Sequence, residues 1–368
     1  MKKNELILDE MGSKEIVFCV SNMIIGFGIL TLPNTIVRTT VSSDGWISIL
    51  LGGGIAILIA IIIGKLIERF PGKNVHAIMS EVFNRTFAHF FSLCFALYYF
   101  LFVSYQIRSV STITKLYLFD NTPEEFLGFT FLLVLAYGVA GSSIALVRMN
   151  VLFFPIVISV LSLLLLFNIG GFNVHRLLPM FKSDFTGIMK ATKETTFSYL
   201  GVEIMLFYNI YVLKKQKVVS SMVRGILLPI LFYFVTFIFV VVIFGTLVVE
   251  NTLYPLAELA KEVEVPGEIF ERFEFFFFVI WLISLFCTNV MALDVTLIAI
   301  GAVFQRLKKT TLLVILLPSI FIAGLLPSSI KELRIFSSWI SYLGIIIAWI
   351  LPALILLVIK LKEGMKHE

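Results

Sequence analysis

Ile24-Ile25-Gly26-Phe27-Gly28-Ile29-Leu30-Thr31-Leu32-Pro33 lies inside an apolar stretch of membrane-crossing length, yet it carries two glycines and a proline where a spanning helix should be continuous. A second interruption, Phe197-Ser198-Tyr199-Leu200-Gly201-Val202-Glu203-Ile204, opens the second half of the chain. Paired breaks at matching places in two halves point to a solute site at the bilayer midplane, as in a transporter. A helix that unwinds in hydrocarbon exposes costly peptide groups unless protein or a hydrated cavity satisfies them, so both breaks are expected to face inward. The half-helix beyond a break offers free N–H groups and a positive dipole end to a carboxylate, while loose carbonyls suit an ammonium group or a cation. Together these favour a zwitterion such as an amino acid.

Working outward, hydrophobic residues make up 59% of the 368, with 37 Phe, and the mean hydropathy is +1.01. No soluble core of this size hides that much apolar surface, so the chain reads as an all-α polytopic membrane protein. The opening stretch carries Lys2, Lys3, Glu5, Asp9, Glu10, Lys14 and Glu15 without a small-residue cleavage site, so the first apolar segment is expected to stay in the protein. Cys19, Cys94 and Cys287 lie in apolar segments, and His76, His89, His175 and His367 are scattered. Neither set has the spacing of a metal site or of a nucleophile with its base, so no enzyme, metal or cofactor is expected.

Apolar segments fall at about 15–38, 46–67, 88–114, 126–147 and 150–169, then at about 193–213, 224–249, 270–300, 311–327 and 337–360. Five and five make ten transmembrane helices, with helices one and six broken, in a single domain over 1–368 whose repeats cover about 15–169 and about 193–360. Inner loops placed by a cytoplasmic N-terminus hold Lys2, Lys3, Lys65, Arg69, Lys73, Arg85, Lys214, Lys215, Arg306 and Lys308, which puts both termini in the cytoplasm. Outer connections are acidic, with Asp120, Glu124, Glu125, Glu250, Glu258, Glu262, Glu264 and Glu268. The net charge of +5 follows from this topology and from anionic headgroups, and no nucleic-acid motif accompanies it. Val75, Ile78, Met79 and Val82 recur at helical spacing, predicting a short inner interfacial helix, and Pro255 to Val263 predicts an outer one that ends at Pro266-Gly267.

Ionisable groups within spans are functional candidates by default. Glu203 follows the second break and either couples ions or locks the break by accepting orphan N–H groups. Asp294 is the second buried acid, with Arg108 or the inner end of span eight to accommodate it, although Arg108 also suits snorkelling at the outer end of span three. Thr288 and Asn289 bind solute or link helices.

Gly26-Phe27-Gly28-Ile29-Leu30-Thr31-Leu32-Pro33 followed by Asp44-Gly45-Trp46 resembles the spore germination permeases, the B subunits of nutrient germinant receptors. Arg176-Leu177-Leu178-Pro179, Tyr199-Leu200-Gly201-Val202-Glu203-Ile204-Met205-Leu206-Phe207 and Ile269-Phe270-Glu271-Arg272-Phe273-Glu274 resemble that family in the same order. The resemblance implies the amino acid, polyamine and organocation transporter superfamily, a LeuT-like fold of two inverted five-helix repeats, and residence in the spore inner membrane. It implies a complex with a membrane-embedded A subunit and a lipoprotein C subunit, and a nutrient site lined by Gly26, Gly28, Tyr98, Leu200, Gly201 and Thr288. The family usually places Arg directly after Thr-Leu-Pro, and here Asn34 stands there. The function expected is nutrient binding that helps trigger germination; the alternative is an H⁺- or Na⁺-coupled amino acid permease using Glu203 or Asp294.

Overall fold

The computed structural model describes residues 10–26, 28–212, 217–263 and 273–367. The expected features at Phe27, Lys2, Lys3, Lys214, Lys215, Glu264, Glu268, Pro266-Gly267 and residues 269–272 lie outside them. Helices account for almost all the regular structure, because only a helix satisfies its own backbone in lipid without a closed barrel. In chain order they are α1 (Ser13–Ile25), α2 (Gly28–Thr40), α3 (Trp46–Arg69), α4 (Val75–Val82), α5 (Arg85–Tyr117), α6 (Glu124–Val139), α7 (Ser143–Phe167) and α8 (Phe185–Tyr199). The short α9 (Met205–Tyr208) is followed by α10 (Val218–Phe244), α11 (Thr246–Asn251), α12 (Pro255–Lys261), α13 (Phe273–Val303), α14 (Lys309–Leu325), α15 (Ile330–Gly344) and α16 (Leu351–His367).

Six helices are long and apolar enough to cross a membrane among the described residues: α3, α5, α7, α10, α13, and α15 running into α16. The pair α1 and α2 makes a seventh if counted as one span bent by 48°. Leu58, Phe90, Leu97, Leu133, Leu231, Ile315, Ile322 and Leu354 all point outward, as lipid-facing residues should. At the centre stands α13, the most buried of the long spans, packed against α5 and α7, while α10 packs against α3 and α1. Small residues permit these approaches: a Cβ on Gly225 of α10 would lie 2.8 Å from the Val20 Cβ of α1.

The interfacial helix predicted at Val75 is α4, with Val75, Ile78, Met79 and Val82 buried, and the one predicted at Pro255 is α12. The boundary expected between spans four and five, near residue 148, lies instead at Ala140, where α6 ends. Ser142 caps α7 by accepting the Ala145 N–H. That cap and the Gly141 beside it outrank the apolar run, leaving Arg148 inside α7.

Two ties join the interrupted elements at opposite faces. On the face holding the chain's described ends, called here the near face, the Met11 N–H donates to the Tyr211 carbonyl at 2.6 Å, so the near-face end of α1 holds the segment after α9. On the far face, Asp44 beyond α2 accepts the N–H groups of Phe181 (2.5 Å), Lys182 (2.7 Å) and Ser183 (2.9 Å), plus the Ser42 hydroxyl (3.1 Å). These residues lead into α8, so Asp44-Gly45-Trp46 and the connection around Arg176-Leu177-Leu178-Pro179 form one clasp, closed further by Ser43 Oγ on the Leu177 carbonyl. Thus α2 and α8 are fastened at their far ends as well as packed along their lengths.

Burial pushes the Asp44 carboxyl upward, but the hydrogen bonds from Ser183, Phe181, Ser42 and Lys182 outweigh it and hold the group below the usual carboxylate range. Asp44→Asn is therefore expected to lower stability at neutral pH by about 1.5–3 kcal/mol, the worth of hydrogen bonds to a charged group. A carboxyl with a depressed folded value stabilises above the ordinary carboxylate range and loses that contribution as pH falls through the folded value. Melting curves of the two purified proteins should consequently converge on acidification, and a gap that widens in acid would contradict this account.

Candidate functional site

Helix α1 stops at Ile25, and Gly26 takes φ −13° and ψ −108° while its N–H closes on the Asn22 carbonyl. Helix α2 resumes at Gly28 and carries Pro33 internally. Three side chains from other helices donate to carbonyls around this break, two of them to Ile24 and Gly26 and the third as a second partner for Asn22. The Tyr233 hydroxyl of α10 donates to the Ile24 carbonyl, the Trp281 indole N–H of α13 to the Gly26 carbonyl at 3.1 Å, and the Thr288 hydroxyl of α13 to the Asn22 carbonyl at 3.1 Å. The Asn22 side chain is held by Asn150 of α7 (2.8 Å) and Ser284 of α13 (2.8 Å), so the end of α1 is pinned from two sides.

The second break follows α8. Leu200 is extended, and Gly201 sits at φ +124°, a region that L side chains rarely adopt. A Cβ there would also stand 3.0 Å from the Met23 Cβ. Glu203 closes the turn: one carboxylate oxygen accepts the Gly201 N–H at 2.9 Å and the other accepts the Tyr99 hydroxyl at 3.1 Å. The Tyr233 hydroxyl also lies 3.0 Å from the Ser198 carbonyl, so its one proton is shared between the two breaks in a three-centre bond.

All six candidate site residues meet in this region. Gly26 faces Thr288, whose Oγ1 would lie 3.2 Å from an added Cβ; Gly28 faces Tyr233 and Ser198; Gly201 faces Met23; and Leu200 and Tyr98 both face Gly344. Tyr98, Leu200 and Thr288 are buried. None of the six lines the cavity of about 110 Å³ that lies immediately on their far side between α2, α5, α8 and α15. The central residues pack against one another, and the open space begins one turn outward, at Ser198 and Thr31.

The two candidate acids have separate settings. Glu203 belongs to the second break itself, whereas Asp294 lies toward the near face, 2.7 Å from the Lys309 ammonium and 3.2 Å from the Tyr208 hydroxyl. Lys309 also donates to the Gly141 carbonyl at 3.1 Å. Arg108 is no partner of Asp294; it pairs with Glu124 at 3.0 Å on the far side. Asn289 gives its amide N–H to the Leu285 carbonyl, and its buried Oδ1 has no partner among the described residues. Sequence reasoning missed Tyr233 and Trp281, which stand in apolar aromatic runs where only an isolated polar tip signals their use.

With this geometry in view, the comparisons with known proteins are consistent. A family model described as spore germination protein matches residues 10–333. The chain is similar to spore germination protein GerLB of Bacillus cereus, at 34% identity over 99% of this chain and 98% of that protein. It is similar to spore germination protein YndE of Bacillus subtilis (strain 168), at 29% identity over 94% of each. Among solved structures it resembles MhsT in complex with L-phenylalanine, with TM-score 0.67, 16% identity, and 93% of this chain and 87% of that one covered. It also resembles Mhp1, a nucleobase-cation-symport-1 family transporter in a closed conformation with bromovinylhydantoin bound, with TM-score 0.64, 14% identity, and coverage of 92% and 77%. At those identities the last two likenesses establish the transporter fold and nothing finer.

Tyr233→Phe keeps the ring and removes the one donor shared by both breaks. It is expected to lower thermal stability in detergent by about 1–3 kcal/mol, because two buried carbonyls lose their partner. Gly201→Ala, forced to the same positive φ against Met23, should cost at least as much. Wild-type melting of Tyr233→Phe would mean that the carbonyls are satisfied by other groups.

Proposed function

The chain belongs to the spore germination protein family, and from that premise we propose that it is the B subunit of a nutrient germinant receptor in the inner membrane of the bacterial spore. It would cross the membrane ten times as one domain of two inverted repeats, with both termini, and hence the near face, in the cytoplasm. Its nutrient is a small polar molecule, an amino acid by the chemistry of the breaks, and its partners are the receptor's A and C subunits together with the lipid bilayer.

The meeting of two unwound segments at one buried place is the observation that carries this proposal. A helix ends at each of Gly26 and Gly201, and side chains partner the peptide groups around them. A solute that adds contacts there in one arrangement and not in another shifts the balance between the two by its differential affinity. Because α2 and α8 are clasped at the far face, and α1 and the segment after α9 are tied at the near face, a change at the breaks is felt as movement of one pair against the other. Partner subunits bound to either face would read that movement.

Gly26→Leu and Thr288→Leu are expected to abolish the nutrient response of spores while the protein remains at wild-type levels in the membrane; Gly26→Leu does so because even its first carbon would crowd Thr288. Germination assays with immunoblots of spore membranes check this, and a normal response at normal levels would refute the assignment. Saturable, gradient-driven amino acid uptake by the purified chain in proteoliposomes would favour a coupled permease instead.

A further inference from the structure

The cavity on the far side of the breaks is lined by two charges of opposite sign that use neither each other nor any other described residue as an ion-pair partner. Arg334 comes from the first turns of α15 and Glu194 from the middle of α8. Arg334 makes one long hydrogen bond to the Asn34 side-chain carbonyl, at 3.4 Å, and no carboxylate lies within ion-pair distance of it among the described residues. Arg38 adds a second positive charge nearby. Exposed surface charges without partners are unremarkable singly; two opposite ones facing one partly enclosed space of about 110 Å³, beside a proposed nutrient site, are a matched pair of handles. The remaining wall supplies apolar surface from Phe197 and Leu333.

We infer that this cavity is a binding site for a free α-amino acid, with Arg334 receiving the α-carboxylate and Glu194 the α-ammonium. A planar guanidinium suits a carboxylate with two parallel hydrogen bonds, and the space suits a handful of waters or one small solute. The site lies directly outward of the breaks: Ser198, on its floor, crowds Gly28 together with Tyr233. Its outer wall includes Tyr254, in the connection after α11, whose carbonyls at Val249 and Glu250 are gripped by the Asn34 amide at 2.9 and 2.8 Å. Asn34 therefore links the cationic wall to the covering segment, in the position where the resembling family carries Arg. The inference rests on the amino acid class assigned under the proposed function and moves the point of recognition one turn outward.

The test uses the full chain in nanodiscs of phosphatidylcholine and phosphatidylglycerol. The twenty L-amino acids are screened by thermal shift, and the strongest hit is titrated calorimetrically beside its N-acetyl and amide derivatives. The free amino acid should bind at least tenfold more tightly than either derivative. Arg334→Gln should reduce it to the affinity of its amide, Arg334→Lys should restore part of the preference, and Glu194→Gln should reduce it to the affinity of its N-acetyl form. Wild-type affinity and discrimination in both Gln variants, with binding lost in Thr288→Leu, would overturn this site and leave the proposed function standing. Binding of phosphoethanolamine but of no amino acid would assign the cavity to a lipid headgroup and overturn it, and failure of every amino acid to bind the wild-type chain would overturn both proposals.

Discussion

A peptide carbonyl with no partner in hydrocarbon is the constraint around which this molecule is arranged. Each break leaves peptide groups short of helix partners, and side chains answer: Tyr233, Trp281 and Thr288 donate to carbonyls at the first, while at the second Tyr233 donates to the Ser198 carbonyl and Glu203, from the turn itself, accepts the Gly201 N–H. The sharing of Tyr233 has a structural consequence. A hydroxyl that reaches both Ile24 and Ser198 fixes their separation, so the two breaks sit side by side and α10 must lie across them. The central placement of α13 follows in the same way, since its Trp281, Ser284 and Thr288 all serve the end of α1.

Much of this could be read from residues alone, because the signals were local. Gly26, Gly28 and Gly201 stand out against apolar surroundings, and each proves to mark a departure from helix or a close approach. The four apolar residues of α4 kept their helical spacing and face inward. What escaped was long-range or disguised. Tyr233 lies between Phe232 and Phe234, and nothing local says that its hydroxyl will meet two carbonyls. The turn at Ala140-Gly141-Ser142 is small enough to vanish in a continuous apolar run. Arg334 stood outside the expected last span because α15 begins at Ile330, and Glu194 carried no motif to single it out; only folding brings them to one cavity.

The two ties at opposite faces give the fold a mechanical character that the breaks alone would lack. Asp44 gathers three successive N–H groups, a concave arrangement suited to a carboxylate, and so fastens the far ends of α2 and α8. The Met11 to Tyr211 hydrogen bond does the same at the near face with one backbone pair. Between these ties the backbone is irregular at both levels where it changes direction. Stiff ends and irregular middles favour discrete rearrangement over gradual deformation, because packed helices such as α10 and α3 resist continuous distortion.

The two buried acids illustrate why position within such a frame matters more than charge. Glu203 spends one carboxylate oxygen on the Gly201 N–H only two residues away and the other on the Tyr99 hydroxyl of α5, so loss of the first contact releases the turn at Gly201 and loss of the second frees that turn from α5. Asp294 instead joins three separate elements: α13 that carries it, Tyr208 in α9, and Lys309 at the start of α14. Lys309 is about a third exposed while Asp294 is fully buried, so the near-face solvent reaches the cation and not the acid. Removing the ammonium would leave a charge sealed in a low-dielectric interior, at a far greater cost than the pair itself contributes. Asp294 therefore holds α9 to the near-face connection only while Lys309 stays in place, which ties the segment beyond the second break to the start of α14.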